Sequence, residues 1–450
     1  MSSERPNTSA ADGRLLDVDF GRQGEMMHAL MTDLYPICRS ITGDGFRRTM
    51  GTLRTLIPLE VHEVATGTQV FDWSVPREWN IRDAYVKNSQ GTKVIDFAAS
   101  NLHVLNYSVP VKGRFPLSEL KAHLFSLPEQ PDRIPYRTSY YKDNWGFCVP
   151  HNLLDQLAEG EYEVLIDSTL EDGHLSYGEY VIGGESRDEV LISCHSCHPS
   201  LCNDNLSGIS LATFLAMLLT GRQLRYTYRF LFIPGAIGSI TWLAKNESKT
   251  PRIRHGLVVA CVGDPGQMTY KKSRRSNAPI DRIVEHVLRQ SGQPYSIREF
   301  SPYGYDERQY CSPGFNLPVG SLTRTPHGEF PQYHTSADNL DFVRPEYLAD
   351  SLSRYVAVIR VLEGDGRYLN KNPKCEPQLG KRGLYSSTGG VARTPQFQLA
   401  LLWVLNLSDG QNSLLDIAER SGISFDVIHD AAAALLKNDL LEEAMPADPS

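Results

Sequence analysis

Residues 188–208 read DEVLISCHSCHPSLCNDNLSG, and this stretch decides the fold class. An apolar run ends at His195, His198 follows shortly after it, and an apolar helical pattern occupies residues 206–219. A buried strand that leads into an apolar helix is typical of a sheet covered by helices. Ligands of such sheets bind beyond the carboxyl ends of the strands. The stretch therefore predicts an α/β fold with a functional site at the edge of its sheet.

The same alternation of strand and helix continues over residues 161–365, which predicts an α/β fold with a mixed, mostly parallel sheet flanked by helices. The predicted strands are Tyr162–Ile166, Gly178–Ile182, Val190–Cys194, Tyr228–Ile233, Gly256–Val262 and Pro318–Leu322. The predicted helices between and after them cover residues 206–219, 278–290 and 345–362.

The residue composition and the spacing of apolar residues change outside this region, and these changes predict four segments. Aromatic residues, prolines and short strand-like runs indicate a small β-rich insertion, and helices around glycine-containing turns indicate a winged helix at the C-terminus. The segments are a disordered tail (1–18), the α/β domain (19–73 and 151–390), the β-rich insertion (74–150) and the winged helix (391–450), with helices at 397–405, 412–420 and 424–437.

The 450 residues carry a net charge of −8, which argues against a general nucleic-acid binder. No apolar run is long enough to span a bilayer, and no secretory signal is visible, so we expect a cytoplasmic protein without a membrane partner. A homo-oligomer stays open. Residues 394–450 hold two basic against nine acidic residues, so the predicted winged helix is not expected to bind DNA.

Five histidines and aspartates lie where the predicted strands end, and their side chains are those that zinc prefers. A single member at such a position is usually a core residue or a helix cap, so the joint pattern carries the prediction. The candidate metal ligands are His195, His198, Asp204, Asp264 and His334.

The order of the phrases HSCH, NDNLSG, GSITWL, VGD and YHTSAD resembles the zinc-dependent exopeptidase superfamily, which includes aminopeptidases, glutamate carboxypeptidases and glutaminyl cyclases. The phrases VPREWNIRDAY, YSVPV and SYYKDNWGFC resemble a bacterial aminopeptidase-like subfamily that has an inserted domain and a C-terminal winged helix. The resemblance covers roughly residues 20–440. It implies a zinc-dependent hydrolase of aminopeptidase type that cleaves an amide or peptide bond in a small peptide or amino-acid conjugate.

The resemblance also implies roles for the candidate ligands. It matches His195 to the first zinc-binding histidine, Asp204 to a carboxylate that bridges two metals, Asp264 to a strand-tip carboxylate and His334 to the final histidine. His198 is additional, which leaves open whether it replaces His195.

Two departures from the superfamily pattern change this expectation. The segment His195–Cys197 lacks the usual aspartate, although Asp338 matches a residue that orients a ligand imidazole. The superfamily's pair of glutamates, a general base and a zinc ligand, is replaced by the segment Pro234–Ser239. We therefore expect about one zinc per chain rather than two.

The missing general base needs a substitute if the protein is a hydrolase. Glu307, with its neighbour Asp306, lies in the phrase YGYDERQY, which resembles a loop that approaches the metals in the superfamily. Both are candidate catalytic residues. The alternative is a solvated loop with local ion pairs.

The phrase YKKSRRS follows a predicted strand tip and offers a cationic site for a substrate carboxylate or phosphate, although such a run is often only a solvated surface. The candidate substrate-binding residues are Lys271, Lys272, Arg274 and Arg275.

Three other functions remain open at this point. One is acyl transfer or cyclisation at the same metal site. Another is a non-hydrolytic, metal-binding scaffold that has lost the glutamate pair. The third is redox or thiolate chemistry at the C-x-x-C formed by Cys194 and Cys197.

Overall fold

A computed structural model describes residues 18–385 and 395–444 of the chain. The predicted disordered tail at residues 1–18 lies outside the described residues except for Val18. The helices are α1 (Phe20–Leu34), α2 (Asp44–Leu53), α3 (Leu117–Leu120), α4 (His151–Gln156), α5 (Ser207–Leu219), α6 (Ile237–Asn246), α7 (Pro279–Gln290), α8 (Glu307–Tyr310), α9 (Pro345–Gly364), α10 (Pro395–Leu407), α11 (Leu414–Ser421) and α12 (Phe425–Lys437).

The strands cluster in several separate sheets. They are β1 (Glu60–Ala65), β2 (Gln69–Val70), β3 (Trp73–Ser74), β4 (Glu78–Lys87), β5 (Lys93–Asp96), β6 (Val111–Pro116), β7 (Leu124–Phe125), β8 (Phe147–Cys148), β9 (Glu161–Glu171), β10 (His174–Ile182), β11 (Glu189–His195), β12 (Thr227–Ile233), β13 (Ile253–Val259), β14 (Met268–Lys271), β15 (Tyr295–Arg298), β16 (Val319–Thr323), β17 (Arg367–Asn370), β18 (Asp409–Ser413) and β19 (Leu441–Glu443).

The largest sheet has the strand order β1-β10-β12-β11-β13-β16-β14-β15. Its centre, from β12 through β11 and β13 to β16, is parallel, while β10 and β14 join it in the antiparallel direction. Helix α5 packs on β11 and β13, and its residues are buried on almost every side. The predicted α/β fold with a mixed, mostly parallel sheet is therefore confirmed.

Strand β9 differs from the prediction for Tyr162–Ile166, which placed it in the α/β sheet. It pairs with β4 and β6 in an antiparallel four-stranded sheet of order β5-β4-β9-β6. Tyr162, Val164 and Ile166 are buried, while the residues between them are half-exposed. This alternation is typical of an antiparallel strand with one covered face, whereas every residue of β11 is buried.

The C-terminal winged helix is confirmed. Helices α10, α11 and α12 accompany an antiparallel sheet of order β18-β17-β19. Helix α11 begins with a capping box in which the Ser413 hydroxyl accepts from the Asp416 N–H, and it ends at Gly422 in the left-handed conformation. Strand β17 precedes residue 391, where the winged helix was predicted to begin.

The chain separates into two compact units. One contains Val18–Arg282 and Gln293–Ser353 and therefore holds all the candidate site residues. The other contains Ile283–Gly292 and the described residues from Arg354 onward. None of the described helices combines the length and apolar character needed to cross a membrane.

Candidate metal centre

Asp204 lies in an irregular turn, Cys202–Leu206, between β11 and helix α5. The backbone N–H groups of Asn203 and Asp204 donate to the Asp338 carboxylate, with N···O distances of 2.6 and 2.9 Å. The Asn205 side chain donates to the carbonyl of His195 at 3.1 Å. These bonds hold the turn against the end of β11, which directs the Asp204 carboxylate to the edge of the sheet.

Three imidazoles converge on this carboxylate. His195 Nε2 lies 2.7 Å from Asp204 Oδ1, and His334 Nε2 lies 3.0 Å from Oδ2. His198 Nδ1 is 3.4 Å from Oδ2. Ligand atoms of His195, His198 and Asp204 all lie within 4.8 Å of one another. One cation can therefore be shared by nitrogen and oxygen donors at this point.

The electrostatics of the cluster suit metal binding. Burial lowers the pKa of His195 and of His334, although the charge of Asp204 partly opposes this effect. Burial alone would raise the pKa of Asp204, but the imidazoles of His198 and His195 outweigh it and hold the pKa well below 3.8. Neutral imidazole and ionised carboxylate are the forms that bind metal, so the donor set fits a zinc ion.

The centre is open on one side. The side chains of His195 and Asp204 are fully buried, whereas that of His334 is 33% exposed. His334 has a φ of 53°, a left-handed conformation that is uncommon for a residue other than glycine. Its carbonyl accepts from the N–H of Tyr136 at 2.7 Å, which fixes the loop at the mouth of the site.

Asp264, a predicted ligand, is placed differently. Its carboxylate accepts from the N–H of Gly266 at 2.7 Å, from the side chain of Asn203 at 3.0 Å, and from the Thr325 hydroxyl at 2.5 Å and N–H at 3.1 Å. It lies outside the three-residue group of close ligand atoms. These contacts are those of a carboxylate that anchors loops, and its ligand role stays a prediction.

Asp338 lies behind the turn, beneath Asp204. It is fully buried, and burial raises the pKa of its carboxyl to about 8, although the N–H groups of Asn203 and Asp204 oppose the shift. Its contacts are with the backbone of Asp204 and not with an imidazole. Asp338 therefore holds the turn that carries the central carboxylate, and the orientation of a ligand imidazole that the resemblance implied for it stays a prediction.

The two candidate catalytic residues have different surroundings. Glu307 is 2% exposed and forms an ion pair with Lys271. Asp306 is fully buried and accepts from the Ser239 hydroxyl at 2.8 Å, while its Oδ2 has no hydrogen-bond partner among the described residues. A Cβ atom added at Gly235 would lie 3.6 Å from this oxygen and 3.0 Å from Cβ of His195. Asp306 therefore lies beside the segment that replaces the superfamily's glutamate pair.

The four candidate substrate-binding cations engage neighbouring residues. Lys271 pairs with Glu307, and Lys272 pairs with Glu299 at 3.1 Å. Arg274 and Arg275 donate to the side chain and the carbonyl of Asn316, at 3.0 and 2.8 Å respectively. Their role in substrate binding stays a prediction. The contacts observed are with residues of the protein itself and hold this loop to the surface.

The two cysteines of the C-x-x-C are unsuited to redox chemistry. Cys194 and Cys197 are free and buried. Burial raises the pKa of the Cys197 thiol to about 12 and that of Cys194 further. Because the thiolate is the reactive form, these two residues behave as packed core residues.

Three tyrosines around Asp204 were missed by the sequence reasoning. The Tyr305 hydroxyl donates to Asp204 Oδ2 at 3.0 Å, and Tyr333 stacks on His334 with ring centroids 3.9 Å apart. Tyr136, from the β-rich insertion, lies edge-on to the ring of His334 at 5.1 Å. The signal was present in the phrases YGYDERQY, PQYHTSAD and PYRTSYY, but aromatic residues there are equally compatible with core packing.

Comparisons with known proteins show which families the two parts of the chain match. Residues 28–365 match the family described as domain of unknown function DUF4910, and residues 366–443 match a winged helix-turn-helix family. A protein of Clostridium acetobutylicum, provisionally named a polysaccharide biosynthesis protein with aminopeptidase-like domain, is 56% identical over 419 residues, which cover 93% of this chain and 96% of that protein.

Solved structures show the same fold. A crystal structure from Clostridium acetobutylicum, provisionally called a peptidase, has a TM-score of 0.90 at 54% identity and covers 94% of this chain and 97% of its own. A zinc aminopeptidase of Bacillus subtilis has a TM-score of 0.53 at 13% identity and covers 75% of this chain and 94% of its own. At that identity the second likeness shows the fold alone.

Proposed function

We propose that this chain, which belongs to the family of the domain of unknown function DUF4910 and has an aminopeptidase-like fold, is a metal-dependent amide hydrolase. The proposed enzyme uses one zinc ion. The observation that carries the proposal is the convergence of His195, His198 and His334 on the buried carboxylate of Asp204. Three protein ligands and one open position are typical of a catalytic zinc site.

The proposed ligands are His195, His198 and Asp204, with His334 at the open side of the same carboxylate. A zinc ion bound there would supply Lewis-acid polarisation of the substrate carbonyl and would acidify water. The Tyr305 hydroxyl donates to Oδ2 of Asp204, whereas His195 lies at Oδ1, so the two side chains hold different oxygens of the carboxylate.

Asp306 is the proposed proton carrier. During hydrolysis the water oxygen bonds to the amide carbon, the C–N bond breaks, and a proton moves to the leaving nitrogen. Oδ2 of Asp306 is the buried oxygen that would take this proton and return it, because burial raises the pKa of the carboxyl to about 7. In this proposal Asp306 substitutes for the superfamily's glutamate base.

The proposed substrates are small amides derived from amino acids, peptides or amino sugars. The aminopeptidase-like fold supports the first two groups, and the polysaccharide biosynthesis named for the Clostridium relative supports the third. The absence of the glutamate pair favours one rival, a metal-binding scaffold without turnover.

Metal content tests the first part of the proposal. Protein purified without added metal should carry about one zinc per chain by elemental analysis. His195→Ala and Asp204→Ala should lose most of that zinc, whereas the exposed His174→Ala should retain it. Two tightly held zinc ions, or none after zinc supplementation, would contradict the single-site proposal.

Turnover tests the second part. Aminoacyl amides, dipeptides and N-acyl amino sugars are incubated with the wild-type protein, with a chelator, and with zinc restored after chelation. We expect cleavage that disappears with the chelator and returns with zinc. Stoichiometric zinc without cleavage of any compound would favour the scaffold, and cleavage that survives chelation would exclude the metal's role.

A further inference from the structure

A continuous series of aromatic rings leads from the surface to Asp204. Tyr303 is 73% exposed, and its ring centroid lies 5.3 Å from that of His327. The His327 ring lies 5.0 Å from that of Tyr305, which in turn stacks on His195 at 4.4 Å. The outermost ring is thus connected to the proposed metal ligands through ring contacts alone.

The outer ring is carried by an anchored loop. Lys271 Nζ donates to the carbonyl of Tyr303 at 2.8 Å and to that of Ser301 at 3.4 Å. These hydrogen bonds fix the backbone on both sides of residue 302, so the exposed ring of Tyr303 is part of a loop with a defined backbone position. Together with His327 it forms an aromatic surface at the outer end of a series of rings that reaches the proposed metal ligands, and this continuity, not the exposure of one ring, indicates a binding surface.

The rim beside these rings is ionic. Arg298 forms a two-point ion pair with Glu329, and one of the N···O distances is 2.8 Å. Glu329 follows His327 by two residues in the sequence, so the ion pair is next to that ring along the chain. An apolar amino-acid side chain would be bound best in a desolvated pocket, whereas this surface combines an open ring with charged hydrogen-bonding groups.

A sugar ring has the complementary chemistry. One face of a pyranose presents C–H groups, which suit the negative face of an aromatic ring, and its edge presents hydroxyls, which suit carboxylate and guanidinium groups. We propose that Tyr303 and His327 form a stacking platform for the pyranose ring of an N-acylated amino sugar. The inference rests on the proposed amide hydrolysis, for which it names the substrate class.

Binding of unreactive sugars tests the platform independently of catalysis. The probes are methyl glycosides of 2-acetamido sugars with gluco, galacto and manno configuration, titrated calorimetrically into the zinc-loaded full chain. The variants are Tyr303→Ala, Tyr303→Phe, which keeps the ring, and Tyr141→Ala, which removes a tyrosine that is 83% exposed and contacts Trp73 instead.

We expect the wild type to bind at least one glycoside and Tyr303→Ala to bind it roughly three- to tenfold more weakly. Tyr303→Phe and Tyr141→Ala should match the wild type, and circular dichroism and zinc content should be unchanged in all three. No binding of any glycoside by the wild type, or equal affinity in Tyr303→Ala, would overturn the platform.

The two proposals fail separately in this design. Glycoside binding that depends on Tyr303, without cleavage of any amide, would support the platform and remove the hydrolase. Cleavage with a KM for N-acyl amino sugars that Tyr303→Ala leaves unchanged would support the hydrolase and overturn the platform.

Discussion

At the scale of single residues, the surroundings of Asp306 are unusual for a carboxylate. It is buried, one oxygen accepts from Ser239, and the other has no partner among the residues that the structure describes. Burial raises its pKa to about 7, where a carboxyl can both accept and donate a proton under neutral conditions. Because Asp306 lies beside Gly235 and His195, its proton is close to the proposed metal centre, where a leaving nitrogen would need one.

Asp306→Asn should lower turnover by about 10²- to 10⁴-fold, the usual contribution of general acid–base catalysis. Asparagine keeps the size of the side chain and an oxygen for Ser239, so zinc content should be unchanged. The exposed Asp341→Asn serves as the matched control and should retain wild-type turnover. Near-normal activity in Asp306→Asn would remove Asp306 from the mechanism.

Stability gives a second test of the same residue. Because the pKa of Asp306 in the folded protein is raised from 3.8 to about 7, the folded state holds this proton more tightly than the unfolded state. The resulting stabilisation is complete below the unfolded pKa and is lost as the pH rises through about 7. Asp306→Asn cannot ionise, so it should gain stability relative to the wild type between about pH 5 and about pH 8. Urea denaturation at both pH values checks this, and a constant difference between the two proteins would contradict it.

At the scale of secondary-structure elements, one ion pair supports the loop that delivers Tyr305 and Asp306. Lys271 ends strand β14 and Glu307 begins helix α8, and their side chains are 14% and 2% exposed. A Cβ atom at Gly304 would lie 1.8 Å from Glu307 Oε1, so the glycine lets the loop lie directly on the pair, and a larger residue would displace the carboxylate. Glu307 therefore has the surroundings of a positioning residue.

Glu307→Gln distinguishes this role from that of a general base. Removing one partner of a buried pair leaves Lys271 uncompensated, and we expect a loss of up to about 3–5 kcal/mol of unfolding free energy, with reduced turnover. The pH profile of the remaining turnover should keep the wild-type ionisation, since Asp306 is still present. Loss of that ionisation with unchanged stability would instead identify Glu307 as the base. Lys271→Met combined with Glu307→Met is the control and should recover much of the lost stability.

The elements show which parts of the fold follow from local sequence. Strand β11 and helix α5 were predictable because each is mostly apolar. The position of β9 depends on its pairing with β4, because an apolar run of this length is compatible with either sheet, and only the alternating burial of its residues is specific to the antiparallel one. Local pattern identifies a strand, while its partner is decided by contacts distant in sequence.

The candidate site divides in the same way. His195, His198 and Asp204 were predictable because they flank one strand end within a short segment. The contact of Tyr136 with His334 joins the β-rich insertion to a loop almost 200 residues later, and no local pattern specifies it. The orientation of Asp264 is likewise set by contacts distant in sequence, because Asn203 and Thr325 donate hydrogen bonds to its two carboxylate oxygens.

At the scale of the whole molecule, the charge is distributed unevenly. The sequence has a net charge of −8, and residues 394–450 contain two basic and nine acidic residues. The helix α12, which takes the recognition position in a helix-turn-helix, exposes Asp426 and Asp430. Oδ2 of Asp426 lies 3.5 Å from Nη1 of Arg360, which belongs to the same compact unit. The winged helix therefore resembles DNA-binding domains in fold while presenting carboxylates where phosphates would lie.

We predict that the full chain does not bind DNA through this winged helix, because phosphate neutralisation by lysine and arginine supplies most non-specific affinity. Fluorescence anisotropy with a random duplex at low salt should show no binding up to about 10⁻⁴ M, the weak end of non-specific DNA affinities. Asp426→Lys combined with Asp430→Lys is the matched positive control, since both positions are exposed and the change reverses the charge of the helix that would face the groove. This variant should acquire weak binding that falls steeply with salt, which would show that charge and not fold prevents the interaction. Micromolar binding by the wild type, lost on raising the salt concentration, would contradict the prediction. It would mean that basic residues elsewhere in the chain supply the phosphate contacts.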